Sequence, residues 1–338
     1  MILVCRAGLA PERVQALTDW LVRRGLEVSE VGGNGRILVH VSGARGTIED
    51  LATSRIEGVE WVLDGDSPHP LADRRSRPQP TVVHFGGRPI GDGTLAVIAG
   101  PCAVESRELT FELAEVVREA GGTALRGGAF KPRTSPYSFQ GLGREGLAIL
   151  AEARERTGLP VVTEVLDTRL VGEVAAVADA LQVGSRSMHN HALLREVGAA
   201  GRPVLLKRGM AATLKELLLA AETLLDAGTD QVVLCERGVR SFDPAVRNVL
   251  DLSAVPALKS RTHLPVLVDP SHAAGRADLV EPLARAAAAV GADGILVEIH
   301  ARPAEARSDG DQAIAPERLG PLVRSCRAIA ELARRPEA

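Results

Sequence analysis

The sequence has few aromatic residues and no long apolar run. Its 338 residues include five Phe, two Trp and one Tyr, so a folded core has to be built mainly from Val, Leu, Ile and Ala. No apolar stretch reaches the roughly 18 residues that a membrane-spanning helix needs. The first residues lack the charged leader and the apolar stretch of a signal peptide. We therefore expect a cytoplasmic protein with no membrane partner.

Cysteine is also scarce, and neither sign of charge dominates. The four cysteines, Cys5, Cys102, Cys235 and Cys326, lie far apart, which indicates neither a disulfide framework nor a structural zinc cage. The 40 Lys and Arg against 43 Asp and Glu leave a formal charge of −3. Because nucleic-acid binding relies on an excess of cations, nucleic acid is not an expected partner. The hydrophobic content of 45% is typical of a globular protein.

Residues 1–64 are predicted to form a small α/β unit. Short apolar stretches at residues 2–5, 26–31, 36–41 and 59–63 indicate strands. Helices are predicted from Pro11 and over residues 48–56, and the glycine-rich residues 32–35 favour a hairpin. The order βαββαβ is the ferredoxin-like pattern, and the unit contains no cluster of reactive residue types. Residues 65–80 are rich in proline and charge, which predicts a linker.

In residues 81–338, short apolar stretches alternate with helical segments. The predicted strands are residues 95–99, 124–128, 161–165, 180–183, 203–206, 231–235, 265–269 and 294–299. Eight βα units in about 240 residues are typical of an α/β fold of the (β/α)8 TIM-barrel type. A doubly wound sheet is the alternative, but it usually has fewer strands and a Gly-rich first turn that is missing here. The pair Gly86-Gly87 favours a hairpin at residues 81–90 that closes the bottom of the barrel.

Charged or ligand-capable residues follow every predicted barrel strand. In TIM barrels the active site is built at these carboxyl ends. The cations among them are Arg126, Lys131, Arg133, Arg186, Lys207 and Arg237. Strand ends are often polar because they meet water, but this does not explain so many cations at one mouth. Their mutual repulsion predicts a substrate with several negative charges, most simply two phosphates and a carboxylate.

A second set of residues suits a divalent metal ion. It consists of Cys102, His272, Glu298 and Asp309. A thiolate, an imidazole and two carboxylates can bind Mn, Fe, Co or Zn. Their spacing is not diagnostic, and a buried Cys102 or a turn residue His272 is the structural alternative. The first, seventh and eighth strands are neighbours in a closed barrel, however, which brings these positions together.

Several motifs resemble those of 3-deoxy-D-arabino-heptulosonate 7-phosphate (DAHP) synthases and related sugar-acid-phosphate synthases. The first is Ile98-Ala99-Gly100-Pro101-Cys102-Ala103-Val104-Glu105-Ser106, followed by the loop of residues 126–135. Within that loop, Lys131-Pro132-Arg133-Thr134-Ser135 is the most specific part. Residues 181–186, 206–209, 235–238 and 269–272 follow in the family's order. Residues 1–64 resemble the ferredoxin-like regulatory domain of some type I beta members.

The resemblance implies condensation of phosphoenolpyruvate (PEP) with erythrose 4-phosphate, the first step of the shikimate pathway. By motif match, PEP is bound by Arg126, Lys131, Arg186, Lys207, Arg237 and the backbone of Gly184 and Ser185. Arg133 and Thr134 match the residues that hold the aldose phosphate, and Glu164 matches a position that orders a water near PEP. Cys102, His272, Glu298 and Asp309 match the metal ligands. Asp311 is a rival for the same ligand role, but the serine before Asp309 matches the family and favours Asp309.

Lys131 is the predicted proton donor to the developing alkoxide, with a pKa lowered by burial among cations. The resemblance also implies that residues 1–64 regulate the enzyme by binding an aromatic amino acid, with tyrosine or phenylalanine as the expected effector, in a homo-oligomer that is a dimer or tetramer. A cap or an oligomerisation arm without an effector is the alternative.

Three other functions remain open. One is 3-deoxy-D-manno-octulosonate 8-phosphate synthase, whose members typically read Lys-Ala-Asn-Arg-Ser-Ser where this chain has Lys131-Pro132-Arg133-Thr134-Ser135. Another is an aminosugar-using homologue, and the third is a barrel that only binds and regulates. The complete metal-ligand and cation sets argue against the last.

Overall fold

The computed structural model describes residues 1–6, 8–32, 37–44, 56–63, 67–131, 135 and 137–334. Within these ranges the chain forms a small antiparallel sheet unit followed by a closed parallel barrel. No helix in these ranges combines the length and the apolar character that crossing a membrane requires.

The N-terminal unit is a four-stranded antiparallel sheet with one described helix. Its strands are β1 (Ile2–Cys5), β2 (Glu27–Gly32), β3 (Ile37–Ser42) and β4 (Val59–Leu63), and its helix is α1 (Pro11–Val22). The sheet order β2-β3-β1-β4 is that of a ferredoxin-like fold, as predicted. Residues 48–55 of the predicted second helix and residues 33–35 of the predicted hairpin lie outside the described part of the chain.

Both faces of this sheet are covered. Successive side chains of a strand point to opposite faces, so Leu3 and Cys5 pack with the α1 side while Ile2 and Val4 point the other way. Leu71, from the segment that follows the unit, packs on this second face. Ile2 and Val4 are 0% and 1% exposed. Leu71 therefore helps to bury apolar side chains on the side where many ferredoxin-like sheets are open.

Eight parallel strands close into the barrel. They are β7 (Ala96–Gly100), β8 (Ala124–Arg126), β9 (Val161–Glu164), β10 (Ala180–Val183), β11 (Val204–Lys207), β12 (Val232–Glu236), β13 (Val266–Val268) and β14 (Gly294–Glu298). Pairing of β14 with β7 completes the ring. These strands are continuous runs of buried residues, as expected for a parallel sheet covered on both faces. The predicted TIM barrel is confirmed.

Helices surround the barrel. They are α2 (Arg107–Glu119), α3 (Arg144–Thr157), α4 (Val171–Val177), α5 (His191–Ala199), α6 (Leu214–Asp226), α7 (Ala254–Lys259), α8 (Pro270–Ala274), α9 (Ala277–Ala289) and α10 (Pro316–Arg334). Short 3-10 turns span Thr168–Leu170, Pro303–Glu305 and Gly310–Gln312. The Thr213 side chain and Glu216 form a capping box at the start of α6, as their spacing predicts.

A hairpin closes the bottom of the barrel. Its strands, β5 (Val83–Phe85) and β6 (Arg88–Ile90), pair around the Gly86-Gly87 turn. Phe85 and Ile90 are fully buried in one apolar cluster with residues from the beginnings of the barrel strands, such as Ala124 and Ala180. The hairpin and this cluster fill the lower interior of the barrel with apolar side chains, so polar chemistry is confined to the opposite end of the barrel.

The described part of the predicted linker, residues 67–80, is bound to the outside of the barrel. The Glu222 carboxylate on α6 accepts hydrogen bonds from the backbone N–H groups of Leu71 and Ala72, each at 2.8 Å. The His263 ring bridges the Leu71 carbonyl and the Thr81 hydroxyl at 2.7 Å each. This segment, which we call the strap, is therefore a fixed connection and not a free tether. The division into domains at residues 64 and 80 stays a prediction.

We expect stability to depend on pH through Glu222. Burial raises its pKa from 4.5 to about 7 despite the two N–H donors of the strap. The folded state then binds more protons than the unfolded state between these values, so stability from this group is present at low pH and is lost as pH rises through about 7. Relative to Glu222→Gln, the wild type should lose up to about 3 kcal/mol of unfolding free energy between pH 5 and pH 8. Urea unfolding of both proteins at both pH values measures this. A difference in unfolding free energy between wild type and Glu222→Gln that is the same at pH 5 and pH 8 would contradict it.

Candidate active site

A cavity of about 310 Å³ opens at the carboxyl ends of the barrel strands. Its basic lining residues are Arg126, Lys131, Arg186, Lys207, Arg237, Arg240 and Arg247. The rest of the lining is Glu164, Gln182, Gly184, Ser185, Met210, Asn248, His272 and Asp309. Such a concentration of positive charge around a concave site suits a small ligand with several negative charges.

The structure gathers most residues of the predicted PEP site around this cavity. Arg126, Glu164 and Lys207 are the last residues of their strands, so the barrel itself aims them at the mouth. Gly184 and Ser185 follow β10, and a side chain at Gly184 would collide with the Glu164 carboxylate at 1.8 Å. Arg133 and Thr134, predicted for the aldose phosphate, lie outside the described residues. The substrate role of each residue stays a prediction.

Arg237 is the cavity residue whose hydrogen-bond donors are most clearly available to an anion. Its guanidinium is almost completely buried and donates from Nη2 to the His272 carbonyl at 3.2 Å. The Nε and Nη1 atoms are buried without a hydrogen-bond partner among the described residues. Burial lowers the pKa of Arg237 below its ordinary value, although Asp269 partly opposes this. An unpartnered buried guanidinium is costly, and a bound carboxylate or phosphate would remove that cost.

The four predicted metal ligands meet beside the cavity. One donor atom from each of Cys102, His272, Glu298 and Asp309 lies within 4.8 Å of the other three. The Cys102 Sγ is 3.0 Å from Asp309 Oδ2, and His272 Nε2 is 3.0 Å from Glu298 Oε1. Sulfur, imidazole nitrogen and two carboxylate oxygens form a donor set suited to Mn, Fe, Co or Zn, so these residues fit a divalent ion.

The backbone turn after β14 decides between Asp309 and its rival. Asp309 has a φ of 53°, and no other non-glycine residue in the described ranges has a positive φ. This left-handed conformation costs about 1 kcal/mol or more outside glycine and is uncommon unless the surroundings require it. Asp309 lines the cavity, whereas Asp311 is exposed. The turn therefore directs Asp309 and not Asp311 toward the cluster.

Buried charges in and near the cluster alternate in sign. Glu298 pairs with Arg126 and His272, and Asp269 pairs with Lys207 and with His272 Nδ1 at 2.6 Å. Burial would raise the pKa of Glu298, but attraction to His272 and Arg126 outweighs it and holds that pKa well below its usual range. Burial likewise disfavours the charged imidazole, but Asp269 and Glu298 outweigh it and raise the pKa of His272 to about 10.

The prediction for the pKa of Lys131 is wrong in direction. Burial lowers that pKa, as expected, but attraction to Cys102 and Glu164 outweighs both burial and repulsion by Arg126, so the pKa is raised. The Lys131 Nζ lies 3.0 Å from Cys102 Sγ and 3.0 Å from the Cys102 carbonyl oxygen. The prediction counted neighbouring cations and did not include the Cys102 sulfur or the Glu164 carboxylate.

Some lining residues carry no signal that sequence reasoning could have used. Arg240, Arg247 and Asn248 come from the long segment after β12, which has no periodic pattern or recognised motif. The sequence indicated Asp269, which orients His272, only as a member of the Asp269-Pro270-Ser271-His272 motif and gave it no role of its own. Its placement directly after a buried strand is the signal that could have assigned it.

Comparison with known proteins agrees with this geometry. The model of the DAHP synthetase I family matches residues 80–331, which include every barrel strand. The chain belongs to the DAHP synthetase I family. Within it, a phospho-2-dehydro-3-deoxyheptonate aldolase of Thermotoga maritima is 44% identical over 332 residues and covers 98% of each chain. A 2-dehydro-3-deoxyphosphooctonate aldolase of Syntrophobacter fumaroxidans is 33% identical over 255 residues, covering 70% of this chain and 88% of the relative.

Two solved structures resemble this family member, one over almost the whole chain and the other over about four fifths of it. The crystal structure of phospho-2-dehydro-3-deoxyheptonate aldolase (DAHP synthase) from Thermotoga maritima has a TM-score of 0.78 at 42% identity, covering 98% of this chain and 97% of that one. A truncated form of the Thermotoga maritima 3-deoxy-D-arabino-heptulosonate 7-phosphate synthase has a TM-score of 0.74 at 45% identity. It covers 79% of this chain and 98% of that one.

We expect metal binding to release protons from this site. His272 has to be neutral to bind an ion, but a pKa of about 10 keeps it protonated in the metal-free protein at neutral pH. Apparent affinity for Mn²⁺ should therefore rise with pH, by about tenfold per pH unit for each proton released.

Titration calorimetry at about pH 6 and pH 8, in buffers of different ionisation enthalpy, counts the released protons. Asp269→Asn removes the carboxylate that raises the pKa of His272, so this variant should release fewer protons. A wild-type affinity that does not change with pH would show that the imidazole does not lose a proton on binding.

Proposed function

We propose that this chain condenses PEP with D-erythrose 4-phosphate and water to give DAHP and inorganic phosphate. It is then a transferase of the shikimate pathway, which leads to aromatic amino acids. The observation that carries the proposal is the buried Arg237 guanidinium, two of whose nitrogen atoms have no hydrogen-bond partner among the residues that the structure describes, beside four side chains suited to a divalent ion. Family membership and the 44% identity to the Thermotoga maritima enzyme support it.

The cations divide between the two anionic substrates. Arg126, Lys131, Arg186, Lys207 and Arg237 bind the phosphate and carboxylate of PEP, with the Gly184 and Ser185 backbone at the phosphate. Arg133 and Thr134 bind the phosphate of the aldose. Arginine forks bind such groups through two parallel hydrogen bonds, which fixes orientation as well as position. Holding two anions side by side in this way lowers the barrier by proximity.

The reaction forms one carbon–carbon bond and replaces the carbon–oxygen bond from C2 to phosphate with a carbon–oxygen bond from C2 to the oxygen of water. C3 of PEP attacks the aldehyde carbon, and the aldehyde oxygen takes a proton. Water adds to C2, and the resulting hemiketal loses phosphate by C–O cleavage. Cys102, His272, Glu298 and Asp309 would hold a divalent ion (Mn, Fe, Co or Zn), which supplies Lewis-acid polarisation of the aldehyde when bound.

Lys131 is the proposed proton donor to the aldehyde oxygen, and Cys102 and His272 serve the reaction as metal ligands. A raised pKa keeps the Lys131 ammonium charged at neutral pH, so it is able both to bind an anion and to give up a proton in the transition state. Glu164 borders the same cavity, where its carboxylate orders the attacking water.

The activity is tested by phosphate release from PEP in the presence of different aldose phosphates. We expect turnover with erythrose 4-phosphate and much less with arabinose 5-phosphate or an aminosugar phosphate. Lys131→Met should lower kcat by at least about 10²-fold, because it removes the proton donor. Lys259→Met, at the other end of the barrel where Nζ pairs with Asp293, is the matched control. Preferred use of arabinose 5-phosphate would overturn the assignment in favour of the octulosonate synthase.

Residues 1–64 are proposed to regulate this reaction and not to catalyse it. The described part of this unit contains no group of side chains that could hold a metal ion. Leu71 of the strap packs on the sheet of this unit and is bonded to Glu222 and His263 of the barrel, so the two parts of the chain are physically linked. The proposed effector is an aromatic amino acid, tyrosine or phenylalanine, bound in a cytoplasmic homo-oligomer that is a dimer or tetramer.

Deletion of residues 1–64 tests this division of labour. The remaining chain should keep its activity and lose inhibition by tyrosine or phenylalanine, a coupling typically of about 1–3 kcal/mol. The truncated Thermotoga maritima synthase, which matches 79% of this chain, makes a folded product a reasonable expectation. An inactive folded truncation, or inhibition that survives the deletion, would contradict the proposal.

A further inference from the structure

The short turn at residues 308–312 contains one of the four metal-ligand side chains and contacts two others. Asp309 belongs to it, and the Ser308 hydroxyl lies 3.3 Å from Cys102 Sγ. At its other end, Gln312 Nε2 donates to Glu298 Oε2 at 2.6 Å. The two ends of the turn therefore reach Cys102, which follows β7, and Glu298, which ends β14.

Gln312 is held between a carboxylate and a guanidinium. Its side chain is almost completely buried, at 2% residue exposure. Its Oε1 accepts from Arg247 Nη1 at 3.0 Å, while the same Nη1 donates to Asp309 Oδ1 at 3.1 Å. A carboxylate needs a donor and a guanidinium needs an acceptor, so only one orientation of the amide satisfies both neighbours. The chain Glu298–Gln312–Arg247–Asp309 is thus a continuous hydrogen-bonded bridge between two ligand carboxylates.

This bridge opposes a strong pull on Glu298. Its Oε1 pairs with the Arg126 guanidinium and lies 3.0 Å from His272 Nε2. Gln312 is the partner of the other oxygen, Oε2. Without it, the carboxylate is free to turn toward Arg126 and pair with both guanidinium nitrogens. Such a rotation would cost the site one correctly directed ligand oxygen.

We propose that Gln312 and Arg247 are positioning residues that hold Glu298 and Asp309 at the spacing a divalent ion requires. The inference rests on the metal site of the proposed function. Neither residue is a ligand in it. Groups hydrogen-bonded to metal ligands commonly fix the direction of the ligand and alter metal affinity by 10- to 100-fold. A merely structural role would instead change the stability of the metal-free protein and leave metal affinity alone.

The test is Mn²⁺ binding to the purified metal-free chain, measured by titration calorimetry without substrate. Gln312→Leu keeps a similar volume and removes both hydrogen bonds, so it should weaken Mn²⁺ binding by about 10- to 100-fold. Gln231→Ala is the control for losing a glutamine, because Gln231 bonds the His84 N–H at the opposite end of the barrel. Asp311→Ala is the control for altering the turn. Both controls should bind Mn²⁺ like the wild type.

Arg247 provides a second, independent variant. Arg247→Ala should weaken Mn²⁺ binding, and Arg247→Lys should restore part of it, because the ammonium can still reach one of the two acceptors. The double variant Arg247→Ala/Gln312→Leu should be weakened by less than the product of the single effects, since both belong to one bridge. The half-exposed Arg247 side chain is tolerant of replacement, so this arm remains readable if Gln312→Leu does not fold.

The outcomes separate this inference from the proposed function. Wild-type Mn²⁺ affinity in folded Gln312→Leu and Arg247→Ala would overturn the positioning role and leave the metal site standing. Equal weakening in Asp311→Ala would overturn it as well, because the effect would then belong to the turn in general. A wild-type chain that binds no Mn²⁺ would overturn the metal site and the positioning role together.

Discussion

The burial of the Glu298 carboxylate is the constraint on which the catalytic end of the barrel depends. This residue ends the strand that closes the barrel and is 1% exposed. A buried carboxylate is costly unless charges and hydrogen-bond donors surround it. Arg126, His272 and Gln312 supply them from β8, α8 and the turn after β14. Satisfying one anion therefore fixes three segments that are far apart in the sequence.

The cost of burying an unpaired charge also explains which cations remain available to bind a substrate. Lys207 is neutralised by Asp269, and Arg208 points away from the cavity to pair with Glu236 and Asp251. Within the described part of the chain, Arg237 has no such carboxylate among its hydrogen-bond partners, although it is as buried as the others. Carboxylates of the protein thus neutralise Lys207 and Arg208. The remaining deficit of negative charge lies where a substrate anion is proposed to bind.

Sequence patterns predicted the barrel well because its strands are buried on both faces and read as short apolar runs between amphipathic helices. The composition of the candidate site followed from residue types at strand ends and from family motifs. Arg247 and Gln312 were not predicted, since they are 65 residues apart and meet only when two loops fold over one rim. The direction of the Lys131 shift was missed because it depends on its 3.0 Å distance from Cys102 Sγ, and no motif gives a distance.

The strap has a consequence for the modular history of this chain. If two independent folds were joined by a flexible linker without contacts, the N-terminal unit could be exchanged through a recombination junction anywhere in that linker. Here Leu71 covers a face of the N-terminal sheet while its backbone N–H is bound by Glu222 of the barrel. Exchange of the N-terminal unit between relatives would succeed only if the strap that arrives fits Glu222 and His263 of the barrel that receives it. A junction after Thr81 separates the strap from these two partners, so it should preserve the fold only between relatives that share them.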